Sequence, residues 1–435
     1  MHRPPTKTQT PSKARLALVA LLLLALLAAL TTRGAANDNA PGAEGRLAVF
    51  DEVWRTVGER YYDPSMNGVD WPRARAEFRP HAAAALHPSE LYGTLRRMLA
   101  LLRDPHTRVH APGERADWRE ARYVSVGVGV REVEGALVAA WVERGSEAWR
   151  AGVRAGDELL TVEGEPASIL VARVLAERAG ASKPSTARAL AVARLFEGPP
   201  DTFVNVGFGG KSGAKERIVR LRRVVRTRAP EWSVRREGGA ALVRFNLFTP
   251  ETAAEFARAL GGELRGARGL VLDLRENGGG EAEAMADIAS ALLPAGARLG
   301  RFTDRRGRPQ MEPRTRTRLL STAESLVEFR GPVVVLTGTR TASAAEVLAA
   351  ALKEHGRARV VGEETCGCVL GIRRRHTLPD GGTLEVSEMD FRTASGARLE
   401  GAGVTPDETV KPTRRDLADR RDPALSRALE LLKRQ

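Results

Sequence analysis

The sequence predicts an α/β multidomain protein: an N-terminal helical region, an inserted β domain and an α/β core. Three observations predict it. Two apolar runs, at 270–274 and 333–336, each lead through a Gly- or Thr-containing turn into a segment of helical period. Strands of a parallel sheet covered on both faces read this way. Residues 46–104 repeat apolar side chains at helical spacing, and residues 123–167 hold short alternating strands between glycine turns. At 435 residues and 43% hydrophobic content, the chain has room for two or three domains with cores of their own.

Residues 1–15 carry Arg3, Lys7, Lys13 and Arg15 with no acid, and residues 16–30 are wholly apolar. Residues 1–36 therefore read as a secretory signal peptide or an N-terminal anchor, with a cleavage point near Ala35 or Ala36 if it is removed. Fifteen apolar residues are fewer than the ~20 of a membrane span. The remaining chain is expected to be exported, periplasmic or extracellular, with residues 16–30 as its route to a membrane. The net charge of +14 falls to +9 without the five basic residues of 1–36. No aromatic-interleaved basic cluster accompanies the excess, so no nucleic-acid partner is expected. Two cysteines are too few for a disulfide scaffold, and no Cys/His set has zinc spacing, so neither a metal nor a cofactor is expected.

A linker and helical region spans 37–118. In AVFDEVWRTVGERYYD, Val49, Val53, Trp54 and Val57 share a face, as do Leu91, Leu95, Met98 and Leu102 in LYGTLRRMLALLRD. It runs out at Asp104-Pro105-His106-Thr107, where proline disfavours further helix. Alternation at Val124, Val126, Val128 and Val130 predicts a strand, followed by a Gly-punctuated segment and a hairpin at 162–165. Residues 170–190, rich in Ala, Arg and Ser, make a stretch longer than expected inside such a domain, and strands at 203–208 and 217–222 close it, 119–226. The core, 227–435, begins with a strand at ALVRFNLF, a helix at PETAAEFARALGGEL and the strand of residues 270–274. Gly278-Gly279-Gly280 follows, but no Lys-Ser/Thr completes a phosphate cradle. A final helix is expected over 423–433.

The second strand-turn-helix unit centres on Ser343. A strand, a tight turn, a hydroxyl and a helix N-terminus in that order hold a nucleophile in a fixed pose, with the first free N–H groups beside the atom attacked. Serine is equally a common helix cap, and the local sequence admits both readings.

Two stretches carry a resemblance. Val126-Gly127-Val128-Gly129-Val130 and Ala151-Gly152-Val153-Arg154-Ala155-Gly156-Asp157 resemble the carboxylate-binding loop and the Gly-Asp turn of bacterial protease PDZ domains. Glycines there let backbone N–H groups converge on a terminal carboxylate while the peptide adds as an edge strand; as plain β-turn glycines they would do neither. In the core, LVLDLRENGGG, TASAAE and LEGAGVTPD resemble, in order, three motifs of the C-terminal processing (tail-specific) peptidases, which are related to the tricorn protease core. The likeness covers nearly the whole chain after residue 36. It implies a PDZ-like domain over 119–226 and a tricorn- or crotonase-like serine peptidase core. Gly127, Val128, Gly129 and Val130 would bind a peptide end, and Gly279 and Ala344 would form the oxyanion hole.

One departure matters. Relatives of the tail-specific branch carry a base lysine 25 residues after the serine, in a "GE.T.GKG" strand, where this chain has GEETCGC and Cys368. Lys353 and His355 lie ten and twelve residues along the helix from Ser343, about 15 Å or more at 1.5 Å per residue. His106 is the best-placed base, and "D.H(S/T)" resembles the histidine motif of His-using members of the superfamily. His376 and His110 are the alternatives. Glu400 matches the glutamate supporting the tricorn-type site; Asp104 and Glu346 could orient the imidazole instead, and Glu346 could also close a capping box. In a strand, Cys366 and Cys368 would lie about 6.5–7 Å apart on one face, wide for a disulfide. They read as apolar fillers, as a redox-active bridge, or as a nucleophilic or metal-binding pair.

The expected function is an exported serine endopeptidase that takes protein or peptide substrates by their free C-termini and cleaves through an acyl-enzyme at Ser343. The alternatives are an inactive relative that docks C-terminal peptides, and a hydrolase or binder of small hydrophobic ligands.

Overall fold

The computed structural model describes residues 42–114, 121–177, 183–209, 216–318 and 327–434. The leader expected over 1–36 lies outside them. Helices α1 (Ala43–Arg60), α2 (Trp71–Ala84) and α3 (Pro88–Ala100) form the N-terminal region. Asp70 starts α2 by accepting the Arg73 N–H at 2.9 Å, with Pro72 in the first turn. Their apolar faces, Val49, Val53, Leu91, Leu95 and Met98 among them, meet Val109, Leu370, Leu384 and Val386 from later in the chain. The helices therefore seal one side of a sheet instead of standing alone. The turn after α3 leads into β1 (Arg108–His110).

Strands β2 (Ala121–Ser125), β3 (Val128–Val133) and β4 (Ala136–Val142) follow. The single strand expected through Val124–Val130 is broken at Gly127, whose φ of +74° turns the chain out of register. Next come α4 (Glu147–Arg150), β5 (Glu158–Val162) and β6 (Glu165–Pro166). The long stretch 170–190 contributes two helices, α5 (Ala167–Glu177) and α6 (Pro184–Ala193). Strands β7 (Phe203–Gly209), β8 (Arg217–Arg222) and β9 (Val224–Arg228) complete the unit. The sheet runs β3-β4-β5-β7-β8 around a core of its own that includes Val138's neighbours Leu137 and Ala139, Val171, Val192, Val206 and Phe208. Chain entry and exit are paired as an antiparallel ribbon, β2 with β9.

The α/β core contains β10 (Trp232–Glu237), β11 (Ala240–Phe245), α7 (Pro250–Gly261), β12 (Leu270–Asp273) and α8 (Ala282–Ser290). It continues with β13 (Arg301–Thr303), β14 (Pro309–Met311), β15 (Val333–Thr337), α9 (Ala344–Glu354) and β16 (Ala358–Gly362). Last are β17 (Gly371–Thr377), β18 (Thr383–Arg392), β19 (Glu408–Thr409), α10 (Arg414–Ala418) and α11 (Pro423–Lys433). The main sheet runs β10-β11-β12-β15-β16-β19, parallel except for β10. Its inner strands β12 and β15 are almost wholly apolar and buried because both faces are covered. Leu270, Leu272, Val333 and Val335 face α7, α8 and α9, whereas Val271, Val334 and Leu336 face Leu425, Ala428 and Leu432 of α11. A second sheet, β1-β18-β13-β14 with β17 on β18, lies under the N-terminal helices.

Helix α9 is buried on every side from Ala344 to Leu352, not on one face as its periodicity suggests. Leu348→Ala should therefore cost about 2–5 kcal/mol of stability in urea unfolding. The same truncation at Leu86, 73% exposed, should stay within about 0.5 kcal/mol.

Candidate active site

Ser343 stands where β15 ends and α9 begins, with φ +54° and ψ −123°. A side chain with a Cβ pays roughly 1–3 kcal/mol for that conformation. The residue thus opens the helix on a sharp turn of positive φ, the backbone device of a nucleophile elbow, while Ser343 and Glu346 form a capping box across the first turn. Two contacts hold the turn: the Ser343 N–H donates to Cys368 O at 2.9 Å and to Glu346 Oε2 at 3.1 Å. The second is one arm of the capping box foreseen for Glu346.

Glu346 does more than cap. Its side chain is fully buried and also accepts Thr365 Oγ1–H, the Gly367 N–H at 2.7 Å and the Cys368 N–H at 2.9 Å. Burial pushes its carboxyl up, against the pull of these donors. Its hydrogen-bond partners among the described residues come from the turn and the 365–368 loop, and none is a histidine.

Facing Ser343 is the glycine turn. Gly279 has φ +98°, and a Cβ there would stand 2.6 Å from Ser343 Cβ and 3.1 Å from the Ala344 nitrogen. Only glycine permits that approach. Ala344 is the first residue of α9, so its N–H has no intrahelical partner. The Gly279 N–H, by contrast, donates to Asn277 Oδ1 at 2.9 Å. The buried Asn277 amide also donates to Phe245 O, and its main-chain carbonyl accepts the Ala342 N–H at 3.0 Å, tying the two turns together. The asparagine belongs to the LVLDLRENGGG motif, and the sequence reading passed over it.

Position 368, where relatives carry lysine, is occupied by half of a disulfide to Cys366. The strand geometry expected for this pair does not apply. Residues 364–370 form a loop, Gly367 has φ +71°, and the two Cα atoms approach to 5.3 Å. Both cysteines are buried and neither is a free thiol.

His106 is half-buried at the α3–β1 junction. Its Nδ1 lies 3.7 Å from Asp104 Oδ1, an electrostatic contact longer than a hydrogen bond, and that nitrogen is buried without a partner. Asp104 is fully enclosed, accepting the His106 N–H at 2.8 Å and Thr107 Oγ1–H at 2.5 Å. Burial acts to raise its carboxyl, but His106 and Thr107 outweigh it and hold the group below the usual carboxylate range. Glu400, also buried, accepts the Val369 N–H at 2.7 Å. Asp104 and Glu400 share a neighbourhood: burial, then both carboxylates, keeps the Tyr61 phenol un-ionised, and the same influences with the Arg398 guanidinium opposing leave Tyr62 at about 12. No hydrogen bond joins His106 to Ser343 among the described residues.

The other bases are engaged elsewhere. His376 Nε2 pairs with Glu388 Oε1 at 2.9 Å, His110 Nε2 faces Glu385 at 3.6 Å, His355 Nε2 meets Arg298 O at the far end of α9, and Lys353 binds Thr405 O and Asp407. Glycines 127 and 129 with Val128 and Val130 open β3, the outer strand of its sheet, alongside α6. The Gly127 N–H donates to Ser125 Oγ, the Trp141 indole covers Gly129, and Arg188 of α6 reaches across to Glu132 of β3. A cleft of ≈ 540 Å³ separates this unit from the core; Arg131, Trp141 and Trp149 line it opposite Thr337 and Gly362. It opens at the carboxyl ends of β15 and β16, the edge where ligands bind in parallel α/β sheets.

Residues 239–410 match peptidase family S41, and residues 43–100 match the tricorn protease C1 domain. The chain is 30% identical over 389 residues to the chloroplastic C-terminal processing peptidase of Tetradesmus obliquus, covering 84% of this chain and 77% of that one. It is 28% identical to the carboxyl-terminal-processing protease of Synechocystis sp. over 88% of this chain and 85% of that one. Among solved structures, the photosystem II D1 C-terminal processing protease superposes with a TM-score of 0.53 at 28% identity, covering 84% of this chain and 93% of that one. Mature CPAF shares the fold with a TM-score of 0.67 at 15% identity, covering 90% and 96%. Fold and relatives together define a serine-type peptidase. The chain belongs to peptidase family S41, the C-terminal processing peptidases.

Gly279→Ala should cut turnover by about 10²–10³-fold by forcing Ser343 out of its turn, measured as kcat on a peptide substrate. Asp104 adds stability that is full above the ordinary carboxylate value of 3.8 and fades as pH falls through its lowered one. The stability advantage of wild type over Asp104→Asn should therefore narrow between pH 5.5 and pH 3 in urea titrations; a constant gap would contradict the assignment.

Proposed function

We propose that this chain is an exported endopeptidase that binds the C-terminal tails of proteins through residues 119–226, read as a PDZ-like domain, and cleaves them through an acyl-enzyme at Ser343. The observation that carries the catalytic reading is the strained Ser343 turn, braced from below by Glu346 and packed against Gly279. A plain cap gains nothing from a left-handed backbone. With Cys368 locked to Cys366, no amine occupies the family's base position, so the proton goes to His106. Its Nδ1 faces Asp104, which leaves Nε2 to take the Ser343 proton as the hydroxyl attacks the scissile carbonyl. The imidazolium then returns the proton to the departing amine, and water resolves the ester by the same route reversed.

Glu400 serves as the second supporting acid in this reading and fixes the Val369 end of the loop. The Ala344 N–H supplies one oxyanion donor. Gly279 supplies the other once Asn277 Oδ1 releases its N–H, so the hole completes on substrate binding. A tail would add to the outer edge of β3 as an antiparallel strand, its carboxylate at Gly127–Val130. For that, Arg188 and Glu132 must part. The relatives named above process protein C-termini, in keeping with this substrate class.

A fluorophosphonate probe should label the wild-type chain and leave Ser343→Ala unlabelled. His106→Ala should lose at least about 10³-fold in peptide hydrolysis. Undiminished hydrolysis in the histidine variant would remove His106 as the base, and labelling of the serine variant would remove Ser343 as the nucleophile.

A further inference from the structure

Lys183 is an unexpected residue where it stands. It occupies the N-cap of α6, a position that favours Ser, Thr, Asp or Asn, and it adds a cation to the positive end of the helix dipole. It is also 9% exposed, and an ammonium out of water must be fully partnered. Its Nζ donates to Ala402 O at 3.0 Å and to Thr365 O at 3.1 Å, and Glu364 Oε2 lies at 2.9 Å. Three donors meet three acceptors. One turn into the helix, Thr186 Oγ1 donates to Cys366 O at 2.6 Å. Two consecutive carbonyls of the core loop thus take their partners from the inserted unit, and as buried loop carbonyls they need them.

The two segments that Lys183 grips both lead to Ser343. From Thr365, the path runs through the hydroxyl to Glu346, which accepts the Gly367, Cys368 and Ser343 N–H groups. Ala402 lies in the turn that follows Glu400, itself bound to the Val369 N–H. The segments are stitched by Gly401 N–H to Gly367 O at 2.9 Å and by Val404 N–H to Thr365 Oγ1.

We propose that Lys183, assisted by Thr186, is a positioning residue for catalysis: its ammonium clamps the 365–368 loop to the 400–403 turn and so holds Ser343 in its attacking pose. The inference rests on the reading of Ser343 as nucleophile. It also restores a lysine to the loop where relatives carry one, in a different office. An amine with carbonyls in two directions and a carboxylate in the third has none left for the Ser343 proton, so Lys183 acts through the loop and touches no reacting atom. A consequence follows for the whole chain: Ser343 is fully ordered only while α6 is docked on the core.

The test uses the full chain with Lys183→Met, Lys183→Arg, Thr186→Val and Ser343→Ala, each checked for cooperative unfolding. Lys183→Met should lower kcat and the fluorophosphonate labelling rate by about 10- to 100-fold with KM changed less than about threefold. Thr186→Val should lower both by a smaller factor, Lys183→Arg should recover part of the loss by restoring donors, and the pH midpoint of kcat should not move. Wild-type kcat and labelling in folded Lys183→Met would overturn the clamp. A displaced pH midpoint with no recovery in Lys183→Arg would also overturn it, by making the lysine the base. If Lys183→Met does not fold, Thr186→Val decides: unchanged kcat and labelling there would overturn the proposal. Labelling that persists in Ser343→Ala would overturn the parent reading instead, an outcome independent of the lysine variants.

Discussion

One buried carboxylate organises the centre of this molecule. Glu346 lies at the floor of the Ser343 turn and receives one hydroxyl and three backbone N–H groups. Burial pushes its carboxyl up and the four donors pull the other way; removing any of them leaves a buried acceptor short of a partner. The bonds also run between elements. The Ser343 N–H belongs to the β15–α9 turn, and the other donors belong to the loop after β16. The Glu346 side chain therefore fixes the distance between Ser343 and the loop, a task for which van der Waals packing is too permissive.

Around this hub the site is assembled from remote parts of the chain, each delivered by a rigid element. The glycine turn after β12 is held against Ser343 by Asn277, the Asp104–His106 turn is fixed by β1 pairing with β18, and the 365–368 loop is gripped from α6. The inserted unit is consequently not a free appendage. Arg131 to Glu363 and Lys183 to Glu364 bridge it to the core, while its attachment through the β2–β9 ribbon is narrow.

The core was legible because burial on both faces leaves little choice of residue: 270–274 and 333–336 could hardly be anything but inner strands, and Ser343 followed from its place after one of them. The helices at 43–100 were legible from period alone. What escaped notice was whatever depends on side chain meeting backbone across long separations. Lys183 and Thr365 stand 182 residues apart, and an ammonium on a carbonyl leaves no periodic trace. The cysteine pair misled for a different reason. The spacing argument assumed extended backbone, and Gly367 in the left-handed region brings the Cα atoms to 5.3 Å. The glycine between them was the available signal. Asn277 was overlooked because its motif drew attention to the glycines, although the asparagine is what fixes their position.

The disulfide and the histidine belong to one argument. A lysine base needs little orientation, because its amine is a single point on a flexible stem. An imidazole has two distinct nitrogens, and a base that replaces the lysine must be held in one tautomer by a group at the other nitrogen. With His106 read as base and Cys368 where the motif's lysine would stand, two needs arise: an apolar, inert filling for that space, and an acid beside the imidazole. Cys366 and Cys368, buried and joined, meet the first. Asp104 meets the second, since it stays ionised at neutral pH and sits 3.7 Å from His106 Nδ1, close enough to favour a proton on that nitrogen and leave the other free to accept one. On the reading of His106 as base, the cysteine bridge and the aspartate are two halves of the same substitution, and neither would be of use to the nucleophile without the other.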